Sequence, residues 1–528
     1  MTPDHRLFTP RAGRQDGFTL IELLVTIVIL GVLAAIVVFS VKGIGDKGRE
    51  NAVAADAATL RTAEESYCAK YGRYGTIDDL KDGGLLTGEP VYNMVAVGDE
   101  NKCGRGEKSS FTLYATSPME GAAGEIRTGR NPVDLAVDEK ADRVYVVASD
   151  SNDVTVIDGR TDTPIGSPIN LSGAVSNPTR IAVDTGTGQV YVGGTDGIAI
   201  IDTAHGNRVT HVDFPAPVSA LAVSPENGDA YVAGGSSGSS AVAYITAGGS
   251  SATPIPLPVA GLVGAANGTD FSFDTTRHAV YLAKNNVGTG ESDAAAIGLF
   301  AISTKTHEAR LAWKFRTKSA CGSTYGGNFL EALSVRGSTV VDPNRNLVYL
   351  LAKRCVPDGT TSTGAKTVAT TIAVNPTDGS STAIDDPVGM TYVPLTAAYT
   401  SAAGSVYVYS RGGTHCGGNG GRISQIVGTK PMRQAPVCAI SSATGNLTHK
   451  MAVLKNLNRI FVAQPYGADG AAVAPGGLGV ADGTTLLTQS ALGTPRQFGS
   501  LAVNNKTAKV YAIDPTDKTV AVFRTGSA

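Results

Sequence analysis

Residues Asn131–Thr163 read NPVDLAVDEKADRVYVVASDSNDVTVIDGRTDT, and residues Asn177–Val209 read NPTRIAVDTGTGQVYVGGTDGIAIIDTAHGNRV. Each holds a short apolar strand, a turn of Asp, Asn or Gly, a strand built on Val-Tyr-Val, and a third apolar strand. Self-similarity at a fixed period marks a repeat architecture. The central aromatic recurs at Tyr145, Tyr191, Tyr231, Tyr281, Tyr349, Tyr407, Phe461 and Tyr511, with spacings of 40 to 68 residues. The longest spacings carry insertions around Cys321 and Thr360. Composition agrees with many short strands. Charged residues are 17% of the 528, against ~25% in ordinary soluble domains, and glycine numbers 64. With 42% apolar residues the chain is not intrinsically disordered. Its net charge of −2 shows no polyanion-binding excess at whole-chain level.

Strands joined by tight turns form meanders, and about 50 residues suit one four-stranded propeller blade. The units resemble YVTN-type β-propeller repeats, which implies an all-β ring of eight blades over residues 124–528, or seven if two units merge. The last unit offers Leu501–Val503, Val510–Ile513 and Val520–Arg524, and it lacks an outer strand. The stretch Gly124–Thr128 is the expected substitute, leaving Ser117–Ala123 as a short linker. The aromatics read as half-buried packing residues on a pleated surface. The turns at Ser149, Asp342 and Asp514 read as strand connections. None has the alternating oxygen ligands and distal Glu of a calcium loop.

Toward the N-terminus the texture changes. Residues 1–17 are polar, and Phe18 to Val41 is an apolar run that would span ~36 Å as a helix, enough for a ~30 Å hydrocarbon core. No second run is long enough, which excludes a multi-pass membrane protein. In a secretory signal the small cleavage-site residues follow the apolar stretch. Here Gly17 precedes it, so processing there leaves the helix on the mature chain. Glu22 lies within the run, where an acid costs about 2.5–3.5 kcal/mol on insertion scales. A partner must offset that. Cleavage behind Gly17 would free an α-amino group on Phe18, and a neighbouring subunit's amine could neutralise the Glu22 carboxylate at a fixed axial stagger.

Through Gly17, Phe18 and Glu22, this segment resembles the N-terminus of type IV pilins and type II secretion pseudopilins. The resemblance implies a prepilin peptidase that cuts after Gly17, an N-methylated Phe18 as mature terminus, and Glu22 as an assembly residue. The expected organisation is a leader (1–17), a membrane and filament-core helix (18–41), a pilin globular part (42–118) and the propeller. The fold class is thus an α+β pilin module, a long N-terminal helix with a small antiparallel sheet, followed by the propeller. Gly43, Gly45 and Gly48 weaken the helix locally. Beyond them Val53, Leu60, Tyr67 and Tyr71 form a helical stripe. The segment Glu65–Leu86 resembles the post-helix turn of short pilins, where a Gly-x-Tyr ends the helix. The alternating runs Val91–Val97 and Phe111–Thr116 are expected to pack across the stripe.

Six cysteines, Cys68, Cys103, Cys321, Cys355, Cys416 and Cys438, favour disulfides in an exported chain. Sequential pairing is the simplest of fifteen connectivities. Closing the Cys68–Cys103 loop would contribute ~3–4 kcal/mol on the chain-entropy model. A metal site on His415, Cys416 and Cys438 lacks close paired ligand spacing. No Gly-x-Ser-x-Gly elbow occurs, and His205, His211, His278, His307 and His449 are expected as solvated residues at or between strand ends. The basic stretch Lys314–Lys318 beside Trp313 is too short to argue for nucleic acid.

The expectation is a pilus-like subunit rather than an enzyme, without cofactor or metal. It would be a single-pass precursor in the cytoplasmic membrane and, once assembled, part of an extracellular filament. Its expected partners are other pilin subunits, the prepilin peptidase, the membrane before assembly, and an extracellular ligand that no residue identifies. The insertions near Cys321–Cys355 and His415–Cys438 are the first places to look for that ligand, since loops on rigid scaffolds carry binding. The alternatives are a minor pseudopilin of a type II secretion-like system and a surface-tethered propeller enzyme.

Overall fold

Alternating apolar positions fold residues 117–528 into consecutive four-stranded antiparallel meanders, as the repeat predicts. The computed structural model describes residues 54–75, 77–87, 90, 93–97, 103, 111–115, 119–236, 239–258, 271–284, 295–317, 329–331, 339–357, 365–385, 393–401, 403–411, 421–437, 450–464, 477–483, 486, 488–492 and 498–525. Two compact units divide the chain, Met1–Thr116 and Ser117–Ala528.

The second unit is an eight-bladed β-propeller. The innermost strands are Pro132–Asp138, Arg180–Val183, Val218–Val223, Ser272–Asp274, Val340–Asp342, Val393–Thr400, Met451–Leu454 and Leu501–Asn504. Each second strand carries the repeated aromatic: Arg143–Ala148, Gln189–Gly193, Ala230–Ser236, Ala279–Lys284, Leu347–Pro357, Ser405–Arg411, Arg459–Gln464 and Lys509–Asp514. Eight hydrophobic clusters alternate with the eight blades, each shared by two neighbours, and the last joins blade 8 to blade 1. The repeat unit therefore cannot bury its faces alone, which is why the ring must close.

The aromatics are more deeply buried than the expected half-burial. All eight are at most 2% exposed, and each sits in the cluster facing the next blade. Three hydroxyls also cross that junction. Tyr349 donates to Gly428 O at 2.8 Å, Tyr407 to Gly483 O, and Tyr511 to Gly159 O at 3.3 Å. Three residues before each aromatic the backbone is left-handed, at Asp142, Gly188, Gly228, His278, Asn346, Gly404, Asn458 and Ala508, with φ between 48° and 78°. Upstream, a side-chain oxygen commonly shapes the turn. Asp138 Oδ1 accepts from the amides of Lys140 and Ala141 at 2.9 and 3.0 Å, and Asp274, Asp342 and Asn504 do the same in their blades. The turn at Asp514 is built likewise.

Closure of the ring uses the chain's own upstream strand. Met119–Arg127 pairs antiparallel with Thr519–Thr525 as the outer strand of blade 8, with a register shift between Glu120 and Gly124. The strand begins earlier than Gly124, so most of the expected linker is itself sheet. Polar contacts reinforce this junction. Asp162 of blade 1 accepts from Lys509 Nζ at 2.9 Å and pairs with Arg524, and Asp142 pairs with Lys506 at 3.0 Å. Blades 4 and 5 are fused: the short strand Phe329–Glu331 pairs with Ala309–Thr317, the outer strand of blade 4, and with the second strand of blade 5.

In the first unit, residues 54–71 are helical and Gly72, at φ 71°, terminates the helix, its amide donating to Cys68 O at 2.8 Å. This is the Gly-x-Tyr stop. A short helix, Ile77–Asp82, follows, and Asn93–Val97 pairs antiparallel with Phe111–Ala115. Leu60, Ala63, Tyr67, Leu80 and Val95 form the core. Tyr71 departs from the expected stripe and is 47% exposed, while Glu64, on the face of Leu60 and Tyr67, is fully buried. A disulfide joins Cys68 to Cys103.

Candidate functional site

An antiparallel meander places the link after each second strand, and the link after each outer strand, at the end of the blade where the chain enters its inner strand. The strand ends that flank the long insertions therefore share one face of the ring, here called the entry face. Thr317, Pro357, Arg411 and Val437 end their strands there. Cys355 lies in the second strand of blade 5, opposite Phe329 and Thr367. Cys321, Cys416, Cys438, His415 and His449 lie outside the described residues, as do Gly17, Phe18 and Glu22.

Polar side chains meet near the ring axis on this face. Asp134, in the inner strand of blade 1 and 4% exposed, forms an ion pair with Lys450, which precedes the inner strand of blade 7. The same carboxylate accepts from Ser500 Oγ of blade 8 at 3.1 Å and, more weakly, from Ile181 N of blade 2 at 3.4 Å. One carboxylate thus gathers four consecutive blades. Lys284 ends the second strand of blade 4 on this face, and burial pushes its amine down to about 8. Its Nζ makes no hydrogen bond among the described residues.

The opposite face holds two imidazoles at the junction of blades 3 and 4, and they are not both the solvated residues expected. His307 Nε2 meets Asp229 Oδ2 at 2.9 Å, and its ring stacks on Tyr244 with centroids 3.6 Å apart. His278 pairs with Glu226, whose other oxygen accepts from Thr304 Oγ1 at 2.9 Å. His211 lies within the outer strand of blade 2 and contacts Ala174 O and Asp213. His205 is exposed beside Asp202. The His278–Glu226 and His307–Asp229 pairs tie turns of adjacent blades, 52 and 78 residues apart, so no local pattern announces them. Among the described residues no group of three or more His, Cys, Asp or Glu side chains is placed to hold a metal ion. Nor is any described helix long and apolar enough to cross a membrane, the run Phe18–Val41 lying outside the described residues.

In the first unit, Glu64 Oε2 accepts from Gly75 N at 3.0 Å, while Oε1 is buried with no hydrogen bond among the described residues. Burial raises this carboxyl to about 7, against the lowering by Gly75 N–H, with Asp79 and Glu65 adding to the rise.

Residues 13–38 match the family model described as the prokaryotic N-terminal methylation motif. The chain carries that methylation motif near its N-terminus. That span contains Gly17, Phe18 and Glu22. Curated relatives also match a short stretch of the chain. The type II secretion system core protein G of Klebsiella michiganensis is 40% identical over 68 residues, 13% of this chain and 48% of that protein. Its namesake in Aeromonas hydrophila is 40% identical over 69 residues, with the same shares. The chain spans about half the length of these relatives. Solved structures similar to the chain include the Dos1 propeller, at 10% identity and a TM-score of 0.48, covering 78% of this chain and 96% of that one. Kuenenia stuttgartiensis hydrazine synthase is 12% identical with a TM-score of 0.45, covering 76% and 98%. The eight blades stand on their own strand order and do not depend on these likenesses.

Proposed function

We propose that the chain is a prepilin whose processed form joins a type IV pilus-like filament and displays the propeller outside the cell for adhesion or ligand recognition. The observation that carries this reading is the fusion of a prepilin methylation motif to a closed ring. The motif supports processing after Gly17 by a prepilin peptidase and assembly with other pilin subunits through the N-terminal helix. A rigid ring whose insertions all leave one face supports recognition. In this reading the propeller binds its ligand and does not turn it over. The test is to shear cells that produce the chain and fractionate the product. The propeller is expected in the filament fraction, and its retention in washed envelopes would overturn the pilus assignment.

A second reading has its own support, because the curated relatives are secretion-system core proteins. It makes the chain a minor pseudopilin of a type II secretion-like system, whose filament stays within the envelope. The shearing experiment separates the two. Turnover of a polysaccharide or lactone panel by the purified chain would replace both with a tethered enzyme.

A further inference from the structure

The ring is electrically lopsided. Blades 1–3, residues 128–260, carry six Lys and Arg against fourteen Asp and Glu, whereas blades 4–6, residues 261–440, carry sixteen against eleven. Strand register gathers much of that excess on the entry face. Lys314 and Arg316 lie near the entry-face end of the outer strand of blade 4, Lys353 and Arg354 near that end of the second strand of blade 5, and Lys366 near the start of its third strand. Arg411 ends the second strand of blade 6. The neighbouring strand acids are Glu331 and Asp385.

The fusion of blades 4 and 5 turns these positions into one row. Thr317 pairs with Leu330, Leu330 with Arg354, Glu331 with Lys353, and Lys366 with Val356. Adjacent strands lie about 4.8 Å apart, so Arg316 and Arg354 sit on strands roughly 10 Å apart. That is close to the Debye length of ~8–10 Å at 0.1–0.15 M salt, so the fields of neighbouring cations add. Lys314 is exposed. A row crossing two fused blades, with Arg411 on the next blade, is longer than one small anion can use, and it suits a linear polymer with charges at intervals.

We propose that the entry face of blades 4–6 binds a linear acidic polysaccharide, whose carboxylates or sulfates run along this row of lysines and arginines. Sites for single-stranded nucleic acid combine a basic groove with exposed aromatic platforms. The one exposed large aromatic among the described residues is Tyr71, in the first unit, and Trp313 beside Lys314 is only 6% exposed. Among the described residues this face offers charge without an aromatic platform, which fits an acidic glycan. This inference deepens the recognition half of the proposed function and rests on it for its setting. Binding is measured in solution, so its failure leaves filament incorporation untouched, and the reverse also holds.

The experiment uses the full chain, purified in detergent, with alginate and dextran sulfate as probes and uncharged dextran as control. Both acidic polymers are expected to bind at 50 mM salt, and the affinity should fall on the order of tenfold or more by 200 mM as counterions reassociate. The variant Lys314→Gln/Arg316→Gln/Arg354→Gln is expected to weaken binding at least tenfold. The matched triple Lys140→Gln/Arg160→Gln/Arg208→Gln, on blades 1 and 2, should leave it unchanged. Unchanged Trp313 fluorescence certifies the fold, and Lys314→Gln alone, at an exposed site, must shift affinity in the same direction. Equal loss with both triples would reduce the effect to net charge and overturn the proposal. So would equal or tighter binding of duplex DNA or of anionic lipid vesicles, or no binding to either acidic polymer.

Discussion

At the scale of single residues, conformation and charge decide more than size. Eight left-handed positions precede the eight core aromatics, and seven hold Gly, Asn, Asp or His, the residues that tolerate positive φ. Ala508 is the exception. Relieving its φ of 53° by Ala508→Gly is expected to stabilise the propeller by about 0.5–1 kcal/mol. Gly404→Ala should do the reverse by about 1 kcal/mol, because its added Cβ meets nothing nearer than Arg345 at 3.5 Å and strain acts alone. Urea midpoints followed by Trp313 emission measure both. Glu64 presents the charge problem. Its folded carboxyl, raised to about 7, binds a proton more tightly than the unfolded one, so this stability is full below pH 4.5 and lost as pH rises toward 7. A shift of that size corresponds to on the order of 3 kcal/mol. Hydrogen-exchange protection over residues 54–86, taken relative to the intrinsic base-catalysed rate at each pH, should therefore fall between pH 5 and 8, and Glu64→Gln should flatten that dependence. Glu22 poses the same problem in the apolar run. Glu22→Val is expected to leave cleavage intact while removing the chain from sheared filaments, and unimpaired incorporation would sink the carboxylate–amine pairing.

Among the elements, the helix of residues 54–71 and the hairpin across it share a small core of five buried apolar side chains. So few contacts leave the disulfide a large share of the stability. The expectation for Cys68→Ser with Cys103→Ser is a loss of ~3–4 kcal/mol confined to the first unit. Limited proteolysis should then cut residues 54–115 while the propeller fragment persists. Equal sensitivity of both units would contradict their independence. The blades behave differently, because each of the ring's eight hydrophobic clusters is shared by two neighbouring blades. A Tyr349→Phe change removes the hydroxyl that Gly428 O accepts from and should lower the ring's stability by about 1 kcal/mol.

For the whole molecule, the ring survives only if its last blade meets its first. Asp162 holds that seam, and both it and its partner Lys509 are under 10% exposed at the side chain. Asp162→Asn keeps the left-handed turn but removes the counter-charge of a buried ammonium, leaving it the carbonyls of Gly159 and Arg160, and breaking a buried pair typically costs about 3–5 kcal/mol. Denaturant unfolding at pH 7 should show the loss as one cooperative shift of the propeller transition. Separate unfolding of blade 8 alone would show that the seam does not control the ring.

The blade count was legible from the aromatics, because every blade puts the same residue on the same strand. The missing outer strand was legible too, since the last unit stops one strand short and a spare one precedes the first. Less was visible at Glu64, where a reader following apolar positions passes over an acid on the right helical face. Local order in the chain, the 3.6 and 2 periods and the turn residues, determined the two units, the prepilin-like start and the number of blades. Tertiary structure alone decided that His307 meets Asp229, that Asp134 gathers four blades, and that lysines and arginines from three blades share one face. Those partners lie tens to hundreds of residues apart, and ring closure, which no short window of sequence encodes, is what brings them within reach.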